Sequence, residues 1–150
     1  MANKEAVLYE LQDELVRRAE QLVIDLGFKG KEVSEIGKNQ ASKALEVAQT
    51  AGTLAVFANW VRYQAGREKS AEFWTRIVKE QSPPRERPLA QVLAAHLGWV
   101  QQQIAQRLGD VPKAEQDVVT MRAVVRFLGY FRRALIGAAY LESIALEGQP

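Results

Sequence analysis

Apolar residues along the chain recur mostly at three- and four-residue spacing, the mark of helices with one buried face. From Lys4 to Leu26 the apolar positions are Val7, Leu8, Leu11, Leu15, Leu22, Val23 and Leu26, with charged residues between them. Gly27 and Gly30, around Phe28, supply the stop, because glycine reaches the left-handed conformation of a helix C-cap. The stretch Asn39 to Arg67 predicts one long helix, opened by Lys38 or Asn39 and ended at Gly66. Ala44, Leu45, Val47, Ala48, Ala51, Leu54, Val56 and Val61 make it apolar over more than half its circumference, the pattern of a centrally placed helix. Gly52 inside it costs roughly 1 kcal/mol relative to alanine and points to a close helix–helix approach. Ser70 caps a third helix through Gln81, with Phe73, Trp74, Ile77 and Val78 inward. Three prolines in Ser82–Pro88, SPPRERP, predict a surface loop, since proline cannot donate to a helix ladder. Pro88 then starts a helix carrying Leu89, Val92, Leu93, Leu97, Val100, Ile104 and Leu108, and a last helix runs from about Glu115 to Ala145.

No stretch alternates as a strand does, and no period repeats. The expectation is an all-α, single-domain bundle of about five helices over residues 1–150. Residues 1–30 form an acidic N-terminal helix, and residues 39–147 form the core, with the loop at 82–88.

Composition narrows the function classes. At 150 residues, 47% hydrophobic and 25% charged, the chain suits one globular domain with a real core. Without cysteine there is neither a disulfide framework nor a thiolate metal site, which fits an intracellular, cytoplasmic setting. Met1 to Gln21 carries Lys4, Glu5, Glu10, Asp13, Glu14, Arg17, Arg18 and Glu20, so no secretory leader is expected. The longest uncharged run, Pro88 to Gln106, is interrupted by His96 and several glutamines, whose unpaired amides are costly in hydrocarbon. It reads as a buried or subunit-facing helix, and no membrane association is expected.

Catalytic chemistry is thinly represented. His96 is the only histidine and sits among Leu93, Leu97 and Val100, the setting of a core or interface residue. No Glu-x-x-His metal motif, Walker loop, dinucleotide fingerprint or nucleophile elbow is present. The chain is therefore expected to be no enzyme, with no catalytic residue, no metal ligands and no cofactor.

Charge distribution says more than net charge, which is only +2. Residues 1–29 hold four basic and six acidic side chains, whereas residues 30–79 hold eight basic and five acidic. On a helical wheel at ~100° per residue, Arg122, Arg126, Gly129, Arg133, Gly137 and Tyr140 fall within about 80° of one another. Such a face can track a phosphate backbone while its glycines allow close approach; the alternative is a solvated arginine face. A second set is Lys38 and Lys43 at the start of the long helix, with Arg62, Tyr63, Gln64, Arg67 and Lys69 at its end. These contact sugar, phosphate or an unstacked base, or else they only keep the helix end soluble and offset its dipole. As one straight helix, ~24 residues at ~1.5 Å each set Lys43 and Arg67 ~36 Å apart. Arg85 and Arg87, with Glu86 between them, are weaker candidates.

Two segments carry a resemblance to a known family. One is the helix that begins near a basic residue and ends YQAGR at Tyr63–Arg67, followed by a short charged helix. The other is RFLGYFRRALIGAAYLES, Arg126–Ser143. Over about half the chain they resemble the small subunit of type III CRISPR-Cas effector complexes, of the Csm and Cmr kind. That resemblance implies a non-catalytic protein of antiviral defence, present in several copies, that holds guide RNA and target RNA through their backbones. It also implies contacts with the large and backbone subunits and with further copies of the chain. Guide–target pairing then supplies sequence specificity. The resemblance carries Lys38, Lys43 and Arg67 to the RNA-facing positions, with Arg62 beside them. The C-terminal arginines match less closely, since Phe131–Tyr140 reads FRRALIGAAY where the Csm branch tends to have a glutamate and a short Ala-Tyr ending. Within this reading the acidic N-terminal helix is a docking element for a neighbouring subunit, and Pro88–Gln106 serves contact between copies. The alternatives are a helical protein-interaction module whose arginines bind an acidic protein partner, and a helix-turn-helix regulator. The latter is disfavoured because no helix pair joined by a three- or four-residue turn is apparent.

Overall fold

The computed structural model describes residues 3–148. The described chain runs α1 (Lys4–Asp25), α2 (Glu35–Thr50), α3 (Leu54–Gly66), α4 (Glu68–Trp74), β1 (Ile77–Gln81), β2 (Pro84–Pro88), α5 (Leu89–Arg107) and α6 (Lys113–Ile136), with a 3-10 turn at Ala138–Tyr140. It is an all-α fold of six helices carrying one small antiparallel hairpin, built around one hydrophobic cluster.

The centre of that cluster is α6, which packs against α1, α2, α3 and α5. It buries Val119, Ala123, Val124, Phe127, Phe131 and Leu135 completely. The first helix runs beside it in the same direction: Glu5 meets Arg122 near the start, and the Gly30 amide donates to the Ala138 carbonyl beyond the end. Leu8, Leu11, Leu15, Ala19 and Leu22 form its buried stripe. Asn3 caps it by accepting from the Glu5 and Ala6 amides, and Gly27 (φ 86°) and Gly30 (φ 72°) carry the chain out of it. On the other flank α2 runs antiparallel to α6, with Ser42 at Arg132 and Ala48 near Met121. Lining α2 are small residues, Gly37, Ala41, Ala44 and Ala48, which let the backbones approach.

Several expectations change. The long helix at Asn39–Arg67 is two helices, because Gly52 at φ 79° breaks the chain between Thr50 and Leu54. Nothing lies within 4 Å of where a Gly52 Cβ would stand, so this glycine serves the turn; the close approach belongs to Gly37, whose Cβ would meet Val33 at 3.0 Å and Phe73 at 3.2 Å. The first of the two helices opens at Ser34, which accepts from the Gly37 amide at 3.2 Å, not at Asn39. The central position expected for the long helix falls to α6.

The helix expected over Ser70–Gln81 ends at Trp74, and residues 77–88 are a hairpin, not the tail of a helix and a loop. Ile77 pairs with Pro88 and Gln81 with Pro84, around a cis Ser82–Pro83 bond. Ser70 is no cap: its buried hydroxyl donates to the Gln64 carbonyl at 2.7 Å. Pro88 ends β2 and caps α5 from outside, one residue short of the place expected for it. The last helix stops at Ile136, where Gly137 turns the chain, and residues 142–148 are exposed. The core is therefore not 39–147; it starts at Val7 and ends at Ala138.

Candidate nucleic-acid interface

The outward face of α6 joins Arg122, Arg126 and Arg133, three of the basic residues singled out in the sequence. Its buried arc leaves Val118, Arg122, Val125, Arg126, Gly129, Arg133 and Ile136 on the side away from the core, in the order that ~100° per residue dictates. Gly137 and Tyr140 lie beyond the helix end and do not continue that face in helical register. A groove of about 430 Å³ runs between this face and α2, with Ala48, Met121 and Val125 in it and Arg122 and Arg126 at its edge.

The arginines are not equivalent. Arg122 is committed, donating to Glu5 at 2.6 Å, and this contact holds the Glu5 carboxyl below the usual range. Both groups are largely exposed, so the pair contributes little to stability and can be exchanged for a phosphate. Arg126 has no carboxylate within salt-bridge distance among the described residues. Arg133 is likewise free of a carboxylate there, and its guanidinium stands 5.6 Å from the Tyr130 ring centroid. Arg132 donates to the Ser42 hydroxyl at 2.7 Å and ties α6 to α2. One turn before Ser42 is Lys38, half-buried and 3.7 Å from Glu35. Lys38 thus lies about 40° round α2 from the residue that meets α6.

Lys43, Arg62 and Arg67 lie elsewhere. Lys43 is exposed about 100° round α2 from Ser42, on the side where Gln40 accepts from the Trp74 indole at 2.8 Å. Arg62 borders a second groove, about 400 Å³, between α3 and α5, whose walls include Phe57, Val61, Leu93 and Leu97. Arg67 is the exposed joint between α3 and α4, with its carbonyl accepting from the Ser70 and Ala71 amides. The break at Gly52 removes the straight ~36 Å spacer between Lys43 and Arg67. It also creates a helix pair joined by the three residues Ala51–Thr53, the connection on whose apparent absence the helix-turn-helix reading was set aside.

Trp60 and Tyr63 differ in burial. Trp60 is half-buried, edge-on to the fully buried Trp74 at 5.9 Å, whereas Tyr63 is exposed. The N-terminal helix spends its apolar stripe inside the fold, as does α5, leaving Gln101, Gln102 and Gln106 exposed.

His96 is a packing residue, as expected, stacked 5.6 Å from Phe127. Its Nδ1 lies 3.0 Å from a guanidinium nitrogen of Arg18, and Arg18 also donates to Glu14 at 3.0 Å and lies over Trp99 at 3.8 Å. Burial and the Arg18 charge push the His96 ring down to about 4. Arg17 and Arg18 together hold Glu14 low, while burial outweighs that pairing at Arg18 itself. This cluster escapes sequence reading because Arg18 and His96 are 78 residues apart.

Among the described residues no cluster of three or more histidine, cysteine or carboxylate side chains is placed to hold a metal, and no helix is long and apolar enough to cross a membrane. No protein-family model, no curated protein and no solved structure matches this chain.

Proposed function

We propose that this protein is a non-catalytic, RNA-backbone-binding subunit of an RNA-guided assembly, of the type III small-subunit kind. The observation that supports it most is the α6 face, where Arg126 and Arg133 lack carboxylate partners among the described residues and stand in line with the exchangeable Arg122. Arginines without partners on a rigid helix give phosphate contacts that fix position without reading bases. Lys38 adds a basic group one turn from Ser42, on the side of α2 that meets α6. Large and backbone subunits, guide and target RNA, and further copies of the chain are the partners this reading implies.

The test is binding of labelled single-stranded and duplex RNA across a salt series. Wild type should bind weakly and without sequence preference, with log affinity falling as log salt rises. The double variant Arg126→Ala/Arg133→Ala should flatten that slope by about 1.4 on single strands, some 0.7 per lost contact. Because Lys43 and Arg67 occupy other faces, Lys43→Ala and Arg67→Ala should each act alone, and with smaller effect. No binding at low salt, together with a reconstituted complex indifferent to all four substitutions, would falsify the reading.

Two other readings each have one observation in their favour. Exposed Val118 and Ile136 flanking the arginines suit an acidic, amphipathic protein partner. The Ala51–Thr53 turn, followed by exposed Asn59, Arg62 and Tyr63 on α3, suits duplex DNA. A duplex-DNA arm and a salt-resistant protein pull-down in the same series separate them.

A further inference from the structure

A cleft of about 690 Å³ lies between α1, the hairpin and the first half of α5. Leu22, Val92 and Ala95 give it an apolar floor. Arg17 and Arg18 stand on the α1 wall, Arg85 and Arg87 on the hairpin wall, and His96 belongs to α5.

Its charges are arranged two to one. Glu14 alone serves Arg17 at 2.5 Å and Arg18 at 3.0 Å, and Glu80 alone serves Arg85 at 3.1 Å and Arg87 at 2.7 Å. Each of these two carboxylates is therefore shared between two guanidiniums. The third carboxylate, Asp25, accepts from the Gln21 amide at 2.9 Å and has no arginine partner among the described residues. Four guanidiniums thus face three carboxylates.

A donor is also left over. The Arg18 guanidinium can only donate, so His96 Nδ1 is the acceptor and the ring proton sits on Nε2. That N–H has no partner in the protein among the described residues. Arg18 is held by Glu14, His96 and the Trp99 face at once, so its position is set before any ligand arrives.

We infer that this cleft is a binding site for a phosphoryl group carried by a nucleotide-sized body. Guanidinium forks on two facing walls match the several acceptor oxygens of a tetrahedral oxyanion better than one flat carboxylate. The volume and apolar floor leave room for a sugar and base beside the phosphate. Arg17 and Arg85, the more exposed member of each pair, are the groups that exchange their carboxylate for the ligand while Arg18 and Arg87 keep Glu14 and Glu80. The inference does not depend on the α6 face.

Calorimetry and tryptophan fluorescence on the full chain test it, with adenosine monophosphate, adenosine, and short RNAs bearing either a 5′-phosphate or a 5′-hydroxyl. The phosphorylated probes should bind at low salt and their unphosphorylated counterparts at least about tenfold more weakly, the worth of one charged hydrogen bond. Arg17→Gln/Arg85→Gln should cost about tenfold or more with unchanged thermal unfolding. Glu14→Gln, which frees two guanidiniums, should tighten binding, a gain that a misfolded variant cannot give. Arg126→Ala/Arg133→Ala should leave mononucleotide binding intact, so this site and the α6 face fail independently. Binding of the mononucleotide identifies a free nucleotide as sufficient, and binding of the 5′-phosphorylated RNA alone identifies a strand end; either supports the site. No phosphoryl probe bound by folded wild type, or equal affinity in Arg17→Gln/Arg85→Gln, overturns it.

Discussion

At His96 one contact from a distant helix fixes the tautomer of the ring, and burial, helped by that contact, keeps it uncharged. Free histidine titrates near 6.5, and in the fold the value is about 4. Between those values the unfolded chain takes up a proton that the folded one refuses, so stability falls as pH drops from 6.5 to 4. The loss approaches ~3 kcal/mol. Arg18, Arg17 and Arg87 face the ring and oppose its protonation, and Glu80 alone favours it. Glu5, Glu14 and Glu80, all held low, lose their contribution only below about 4.5, so the upper part of the window belongs to His96. Urea unfolding at pH 6.5, 5.5 and 4.5 should show this decline in wild type and a flat response in His96→Gln; parallel responses would remove the assignment. A second prediction at this scale concerns Gln64, 4% exposed, whose Oε1 is buried with no hydrogen-bond partner. Gln64→Met should raise unfolding stability by about 1 kcal/mol, because an unsatisfied buried acceptor costs at least that much. A loss of stability would mean the amide has a partner that the geometry hides.

Helices with long apolar side chains were legible from periodicity alone. Leu8, Leu11, Leu15 and Leu22 announce α1, and Val124, Phe131 and Leu135 announce the buried side of α6, along with the arginines opposite. The alanine-rich stretch around Gly52 was not, because alanine continues a helical pattern whether or not the backbone does. Gly52→Ala should cost ~1–2 kcal/mol through backbone strain alone, and Gly52→Asn less, since asparagine tolerates the left-handed region. Equal costs would mean that side-chain crowding matters there, against the open space around it. The hairpin was missed for the opposite reason: prolines at 83, 84 and 88 look like loop punctuation, but Ser82 and Pro83 make the turn and only residues 77–81 and 84–88 pair. Its register brings Arg85 and Arg87 onto Glu80 and so builds one wall of the cleft, which no local pattern reveals.

On the scale of the whole molecule, residues far apart in sequence supply most of what one-dimensional reading lacks. Glu10 and Lys4 of α1 reach Arg107 and Glu115, and Lys29, just past α1, reaches Glu142. The first helix lies against the last, and its leucine stripe is covered chiefly by α6. During synthesis that stripe is exposed long before its cover exists. The end of α6 follows the end of α1 by about 110 residues, and at roughly 5–20 residues per second that is a wait of ~6–22 s. A chain stopped at Gly109 should therefore lack cooperative unfolding and bind a hydrophobic dye, whereas one stopped at Ala145 should melt as the full protein does. Cooperative melting of the shorter chain would show that the elements before α6 can cover α1 without it. In a cell, the nascent first helix has to be shielded from other chains until the last one arrives.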